Sequence, residues 1–220
     1  MTVAHDRPAE DLNTRARIRD AAMMEFGAKG FKGATLRSIA AAAGVSVGLV
    51  QHHFGTKDGL RAACDEMVLR MLHLKTNALD EGRLHQPQVL STLMAMAPLV
   101  QCYVSRAMVD DSPGMATLTN EVMDRGEAFL TGQQPGRFLP GSERTRDAAA
   151  VMTAVNTSIM VMQPTITRRM GIEPWTNTAV VRVGSAMLDV FEAFAEFVDS
   201  DTWRNLRSAV DAYSERGGTG

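Results

Sequence analysis

A short polar segment near the N-terminus carries side chains suited to hydrogen bonding with an extended partner. Residues 46–57 read S-V-G-L-V-Q-H-H-F-G-T-K. The amide of Gln51 can pair with an adenine edge, and Lys57 in the first turn of a helix can bind a phosphate. Gly48 is unfavourable inside a helix, which suggests that its backbone approaches something closely, such as a phosphate. These groups indicate recognition of DNA rather than bond-making chemistry.

Two short helices joined by a tight turn would position these groups. Thr35 is expected to cap a helix over residues 36–43, which Gly44 ends. Ser46 is expected to cap a second helix over residues 47–53. Two helices joined by a three- to four-residue turn with a glycine form a helix-turn-helix, whose second helix enters the DNA major groove. The alternative interpretation is an alanine-rich helical hairpin within a core.

The outward-facing positions of this helix pair supply the candidate DNA contacts. The adjacent histidines are not a metal site, because successive helical residues point about 100° apart. No other histidine in the sequence stands at the spacing from cysteine or acidic residues that a metal site needs. The predicted DNA-binding residues are Thr35, Arg37, Ser46, Val47, Gly48, Gln51, His52, His53 and Lys57.

The segment over residues 34–60, A-T-L-R-S-I-A-A-A-A-G-V-S-V-G-L-V-Q-H-H-F-G-T-K-D-G-L, resembles the DNA-binding segment of the tetracycline-repressor (TetR) family. The shared features are a Gly-Val-Ser turn at 44–46, a His-Phe pair at 53–54, and then Lys57 and Leu60. The resemblance covers about residues 13–60. Gln51 stands where the family usually has an aromatic residue, often Tyr, that touches a phosphate. Glutamine would make that contact more weakly or would read a base edge.

Composition favours a basic module attached to an acidic remainder. The chain has 220 residues, is 45% hydrophobic and has a net charge of −2. Residues 12–60 hold seven Lys or Arg against three acidic residues, giving +4, so the remainder carries −6. This distribution suits a DNA-binding domain joined to a domain with another function. The length allows a small domain and a larger one, each with its own core.

We predict an all-α fold, with an N-terminal three-helix helix-turn-helix domain followed by a larger helical ligand-binding and dimerisation domain. The predicted domains are a disordered arm (1–12), the DNA-binding domain (13–60), the effector and dimerisation domain (61–215) and a disordered tail (216–220). Apolar periodicity and breakers place the remaining helices. The helix that precedes the pair is predicted over residues 14–29, ending at Gly30, and the later helices over 56–78, 88–111 with a kink at Pro98, 115–131, 143–162 with Pro164 disturbing its end, 178–198 and 201–213.

Methionine is concentrated in the second domain, where 12 of the 15 methionines follow residue 60. Methionine suits irregular cavities, and the resemblance implies a ligand pocket there for an apolar small molecule. Asn156 or Gln163 would act as a polar anchor, although a methionine stripe can also be ordinary core. The predicted ligand-binding residues are Met67, Met71, Met94, Tyr103, Met123, Met152, Asn156, Met160 and Gln163.

The resemblance also implies a homodimer, whose two-fold symmetry would match a palindromic operator. The helices near 143–163 and 179–198 are the candidates, and in the family they would form a four-helix bundle across the dimer. Packing within one chain is an equal alternative from sequence alone. The predicted interface residues are Val183, Gly184, Met187, Val190, Phe191 and Phe194.

The predicted function is a transcriptional regulator, most simply a repressor released from its operator by an apolar effector. The alternative is an activator, or a DNA-binding protein controlled by a protein partner. Neither a nucleophile–base pair nor a cofactor motif indicates an enzyme, and no run approaches the ~18 apolar residues of a membrane span. Cys64 and Cys102 lack C-x-x-C spacing, so we expect reduced thiols and a cytoplasmic protein, with a redox role as the lesser alternative.

Overall fold

The computed structural model describes residues 9–110 and 113–217, and over those ranges it contains helices and no strand. The predicted all-α class is confirmed. Residues 1–8 and 218–220, parts of the predicted arm and tail, lie outside the described residues. The helices are α1 (Ala9–Gly33), α2 (Leu36–Ala43), α3 (Val47–Phe54), α4 (Lys57–Asp80), α5 (Pro87–Val109), α6 (Pro113–Gln133), α7 (Glu143–Met170), α8 (Asn177–Val198) and α9 (Asp201–Gly217).

The chain divides into two compact units, Met1–Asn177 and Thr178–Gly220. The first unit holds helices α1 to α7, so the predicted division at residue 60 does not separate two compact bodies. Its main core joins α1 to α6 through buried residues that include Ile18, Phe26 and Leu60. Residue 60 is therefore a boundary between proposed functions, and the packing continues across it.

Helix α1 is longer than its predicted span and is broken at one glycine. It begins at Ala9 rather than near residue 14, so residues 9–12 of the predicted arm are helical. Gly30 has φ 71° and ψ 167°, which breaks the helix where the sequence predicted its end. Phe31 then folds back onto Phe26, with ring centroids 5.5 Å apart. Beyond the break the chain resumes helical turns as far as Gly33.

The contact between α1 and α5 is tight enough to require a glycine. A Cβ built at Gly27 would lie 2.4 Å from Cys102 Sγ and 2.8 Å from the Cys102 carbonyl oxygen. Because one of these atoms belongs to the backbone, a side chain at position 27 could not be accommodated without shifting a helix. This packing fixes α1, which braces the helix-turn-helix, against the larger helices.

Helix α5 is the one helix of the described ranges that is long and apolar enough to cross a membrane by length and composition. The sequence interpretation that no run approaches such a length was therefore too strict. Its C-terminal half nonetheless packs in the core, where Cys102, Tyr103 and Val104 are buried. The apolar side chains of this half of α5 contact neighbouring helices such as α1.

Helix α7 continues through Pro164 to Met170, so the prediction that it ends near residue 162 was wrong. A proline inside a helix removes one backbone hydrogen bond. Pro164 is exposed, and the helix continues through it. The helix ends instead at Gly171, whose φ of 67° gives a left-handed cap.

The second unit contains α8 and α9, joined by a two-residue turn. Phe197 and Trp203 meet across this turn with ring centroids 5.8 Å apart and nearly perpendicular planes. Helix α9 extends to Gly217, so residues 216 and 217 of the predicted tail are helical. Both helices leave large apolar side chains exposed, including Leu188 on α8 and Val210 on α9.

Candidate functional site

Helix α2 is held at both ends by the predicted caps. The Ser38 amide donates to Thr35 Oγ1 at 3.0 Å, and the Thr35 amide donates to Ser38 Oγ at 3.2 Å, forming a reciprocal capping box. Gly44 ends the helix with φ 66° and ψ 38°. The Val45 amide then donates to the Ala40 carbonyl at 2.9 Å, closing the turn. The turn that sets the angle between α2 and α3 is thus determined by local hydrogen bonds.

Helix α3 has one face in the core and one face in solvent. Ser46 caps it by accepting a hydrogen bond from the Leu49 amide at 3.2 Å. Val50 and Phe54 are buried and anchor the helix to the rest of the domain. The exposed residues are Val47, Gly48, Gln51 and His52. This outward face is free for an external partner.

Gly48 is not required by packing inside the chain. A Cβ at this position would meet only Ser46 Oγ, at 3.9 Å, which is an ordinary contact. Gly59, in contrast, would place a Cβ 2.3 Å from the Phe54 carbonyl oxygen, so the fold itself demands that glycine. A glycine in the first turn of α3 without such a demand fits the interpretation that its backbone approaches a partner.

His53 and Lys57 are the two predicted contacts that are only partly exposed. His53 packs between the rings of its neighbours, 5.4 Å from His52 and 6.2 Å from Phe54 between centroids. Lys57 Nζ lies 4.5 Å from the centroid of the Phe31 ring. A phosphate contact by Lys57 would have to retain or exchange this cation–π contact. The remaining predicted contacts, Thr35, Arg37 and Ser46, are exposed.

The predicted ligand-binding residues lie in different surroundings in the described part of the chain. Met67 and Met160 pack against the main core. Asn156 is exposed, and its Nδ2 donates to the Met152 carbonyl at 2.9 Å. Gln163 is 2% exposed, and its Oε1 has no hydrogen-bond partner in the described part of the chain. The predicted methionines lie on helix faces that make different contacts. Their spacing along the sequence therefore could not show whether they line one cavity.

A cleft of about 370 Å³ lies between α5, α6 and α7. Only Met123 of the predicted ligand set lines it. Sequence reasoning missed its threonine and asparagine residues, because their spacing on two helices forms no recognisable motif. The lining residues are Met108, Met115, Ala116, Thr119, Asn120, Met123, Thr153, Ala154 and Thr157.

Tyr103 was predicted to bind a ligand, and in the structure it has a structural role. It is buried, and its hydroxyl donates to Asp65 Oδ1 at 2.5 Å. Burial raises the pKa of the Asp65 carboxyl, and the hydrogen bond from Tyr103 opposes that shift. A Cβ at Gly114 would lie 2.2 Å from Asp65 Oδ2, so the first turn of α6 also rests against this carboxylate. Asp65 therefore joins α4, α5 and α6.

The two cysteines are unsuited to redox chemistry in the folded chain. Cys64 and Cys102 are free and buried. Burial raises the pKa of both thiols, that of Cys102 to about 11. Because the thiolate is the reactive form, neither thiol is activated at neutral pH.

The predicted dimer residues on α8 differ in exposure. Phe191 is 49% and Phe194 is 57% exposed, and Val190 is also exposed. Val183, Gly184 and Met187 are half-buried. Large apolar side chains concentrated on one helix are uncommon on a free surface.

Comparison with known proteins matches this chain to one family of regulators. A family model described as "Bacterial regulatory proteins, tetR family" matches residues 18–64. The HTH-type transcriptional regulatory protein RaaS of Mycobacterium tuberculosis is 38% identical over 138 residues, which cover 60% of this chain and 63% of that protein. The HTH-type transcriptional regulator BetI of Paraburkholderia phymatum is 42% identical over 62 residues, covering 28% of this chain and 32% of BetI.

These matches span less than two thirds of the length of either relative. A solved structure described as the molecular basis for control of antibiotic production by bacterial hormones has a TM-score of 0.50 at 17% identity. It covers 84% of this chain and 96% of its own, and at that identity the likeness concerns the fold alone. Both relatives are named as regulators of transcription, not as enzymes. Residues 18–64 therefore match the DNA-binding segment of the tetR family of bacterial regulatory proteins, and the chain is similar to named regulators of transcription.

Proposed function

We propose that this protein is a homodimeric transcriptional regulator, acting as a repressor in the cytoplasm, that binds a palindromic operator and leaves it when a small molecule binds helices α4 to α7. The observation that carries this proposal is the exposed face of α3, which lies opposite its buried anchors Val50 and Phe54. An exposed recognition helix on a rigid support is what major-groove docking requires.

The exposed face of α3 offers groups for both base edges and phosphates. Gln51 would pair with a base edge or contact a phosphate. Gly48 would allow the backbone of α3 to come close to the sugar-phosphate chain, since it lacks a side chain and has open space around it. Arg37 and Lys57, at the start of α2 and of α4, would bind phosphates and fix the position of α3 along the groove. Base contacts would then supply the sequence preference.

A second copy of the chain would supply the other half-site. Two recognition helices about one DNA turn (~34 Å) apart would match a palindrome. Helix α8 supports the dimer because Val190, Phe191 and Phe194 are exposed apolar residues in successive turns. Covering them with the same helix of a partner subunit would remove this apolar surface from water.

Release by an effector would act through α4. This helix begins at Lys57, directly after the helix-turn-helix, and runs to Asp80 among the larger helices. An effector that binds one tilt of α4 more tightly than another would shift the population of the two states. A changed tilt in each subunit would alter the separation of the two α3 helices and lower affinity for the operator.

A gel-shift measurement on a palindromic fragment from the region upstream of the protein's own gene tests the proposal. We expect binding at nanomolar to micromolar protein, and at least a tenfold loss in the double variant Gln51→Ala with Lys57→Ala, as for two lost polar contacts. Lys75→Ala is the matched control, since Lys75 is exposed on α4 beyond the helix-turn-helix. A loss of no more than twofold in the double variant would contradict the contact assignment. Transcription from a reporter under the same operator separates repression from activation.

A further inference from the structure

We propose that Phe31 is a positioning residue for DNA binding: its ring holds the Lys57 ammonium ready for a phosphate of the operator, and this ring contact is kept in the complex. Phe31 is not among the residues that the sequence predicted to take part in DNA binding. The inference rests on the phosphate contact assigned to Lys57 under the proposed function, and it adds the side chain of α1 that prepares Lys57 for that contact.

A break in the helix and an anchored carboxylate fix the backbone at Phe31. The preceding residue, Gly30, has a φ of 71°, a value that favours glycine. A Cβ at Gly30 would lie 2.8 Å from Asp110 Oδ2. The Phe31 amide donates to the same oxygen at 3.3 Å, and Arg106 Nε donates to Asp110 Oδ1 at 3.0 Å. The start of the Phe31 side chain is therefore tied to the C-terminal end of α5.

The Phe31 ring lies against two cations of α4. The ring centroid is 4.5 Å from Lys57 Nζ and 4.1 Å from Arg61 Cζ. Residues four apart share one face of a helix, so the ring covers one face of the first two turns of α4. On the core side, the ring of Phe26 is 5.5 Å away between centroids, and Phe26 is buried. Phe31 thus joins the core to the start of α4.

The two cations differ in their other partners. Arg61 Nη2 lies 2.8 Å from Asp58 Oδ1, so its guanidinium already has a counter-charge. The Lys57 ammonium makes no ion pair with a carboxylate of residues 9–110 and 113–217, and the side chain is half-exposed. An ammonium carries three N–H donors. A ring face attracts its charge without supplying an acceptor oxygen, so a phosphate can still accept a hydrogen bond from Lys57.

Holding Lys57 in place would strengthen its contact with DNA. A mobile lysine side chain loses much of its rotamer freedom when a phosphate fixes it, whereas a side chain that is already held loses less. A cation–π contact at an exposed site corresponds to a factor of about two to five in an equilibrium constant. Two subunits on one palindrome would square this factor, giving about four- to twenty-five-fold in operator affinity.

A double-mutant cycle in the gel shift tests whether Phe31 acts through Lys57. Phe31→Leu keeps an apolar side chain and removes the ring, so it should weaken operator binding about four- to twenty-five-fold. In a Lys57→Ala background the same substitution should change affinity less than twofold. Phe31→Tyr keeps the ring and should restore affinity to within twofold of the wild type.

Leu99→Ala is the matched control for lost packing. Leu99 is also half-buried and packs against the same core, but it lies on α5. This variant should lose thermal stability and keep its affinity for the operator. The inference is overturned if Phe31→Leu weakens binding equally with and without Lys57, if it strengthens binding, or if Phe31→Tyr binds as weakly as Phe31→Leu.

Nuclear magnetic resonance on the wild-type chain follows the ring contact directly, so the test does not depend on the folding of Phe31→Leu. The chain has four lysines, Lys29, Lys32, Lys57 and Lys75, and ¹³C-lysine labelling therefore gives four Cε–Hε signals. Protons above a ring face are shifted upfield by its ring current. We expect one upfield signal, which is missing in Lys57→Arg and stays upfield when the operator fragment is added. A Lys57 signal at the position of the other lysines, in the free protein or on the operator, would contradict the inference.

Operator binding by the wild-type protein separates this inference from the proposed function. A protein that binds the operator without coupling between Phe31 and Lys57 defeats the inference alone. A protein that binds no palindromic fragment defeats the proposed function and this inference with it, even if the upfield lysine signal is present in the free chain.

Discussion

Replacing Gly48 by alanine should make the protein more stable and a weaker DNA binder. Alanine inside a helix is favoured over glycine by up to ~0.5–1 kcal/mol, and Gly48 is the second residue of α3. The new Cβ would meet only Ser46 Oγ at 3.9 Å, so no strain offsets this gain. For a chain of this length the midpoint of thermal unfolding should rise by about 1–4 °C. A methyl group between α3 and a phosphate would instead disrupt a charge-assisted hydrogen bond worth ~1.5–3 kcal/mol, a loss of about ten- to a hundredfold in operator affinity.

Thermal unfolding followed by circular dichroism and a gel-shift titration on one preparation measure both effects. Gly132→Ala is the matched control, because Gly132 is also in a helix, with nothing within 4 Å of its Cβ position, and lies outside the helix-turn-helix. It should gain stability and keep its affinity for the operator. If Gly48→Ala also keeps its affinity, the backbone at this position does not approach the DNA. If it loses stability, the space assigned around Gly48 is wrong.

Three further predictions concern the body and the second unit. Burial raises the pKa of Asp65 above its unfolded value of ~3.9, so the stability supplied by its protonated form should be lost as pH rises through the folded pKa. In urea titrations, Asp65→Asn should remove this dependence of the unfolding free energy on pH. Tyr103→Phe should lower the unfolding free energy by about 1–3 kcal/mol at neutral pH. The Cys102 thiol, its pKa raised to about 11 by burial, should react with N-ethylmaleimide only in denaturant, and mass spectrometry showing rapid labelling of the native protein would contradict its burial. Phe194→Glu should yield monomers in sedimentation velocity, whereas Leu79→Glu, at a site of similar exposure in the first unit (50% against 57%), should not. A Phe194→Glu dimer would rule out the α8 interface.

The helix-turn-helix was predictable because local chemistry determines it. Thr35, Ser46 and Thr56 each accept a hydrogen bond from an amide three residues ahead. The caps at Thr35 and Ser46 were expected from residue type and position alone. Gly44 is likewise fixed by a left-handed turn that few other residues adopt. Where a helix boundary depends on groups within four residues of it, the boundary can be predicted from the sequence. The extension of α7 past Pro164 was missed because a proline inside a helical pattern usually marks the end of the helix.

The cleft was not predictable for the opposite reason. Its polar groups, among them Thr119 and Thr153, lie on helices that pack side by side only in the folded chain. Tyr103 and Gln163 were reasonable candidates by residue type. The hydroxyl of Tyr103 is already committed to Asp65, and Gln163 does not line the cleft. Spacing on one helix can identify a face but cannot say which neighbouring helix that face will meet.

The packing around two glycines limits how the proposed effector signal can travel. Gly27 holds α1 so close to Cys102 of α5 that these helices can separate or slide only with loss of close packing. Gly114 holds α6 against Asp65 of α4, and the hydrogen bond from Tyr103 ties that carboxylate to α5 as well. A displacement of α6 at Gly114 would therefore bear on Asp65 of α4, the helix that directly follows the helix-turn-helix. In the proposed release from DNA, α1 would therefore stay packed on α5, and α4 would transmit the movement to the helix-turn-helix.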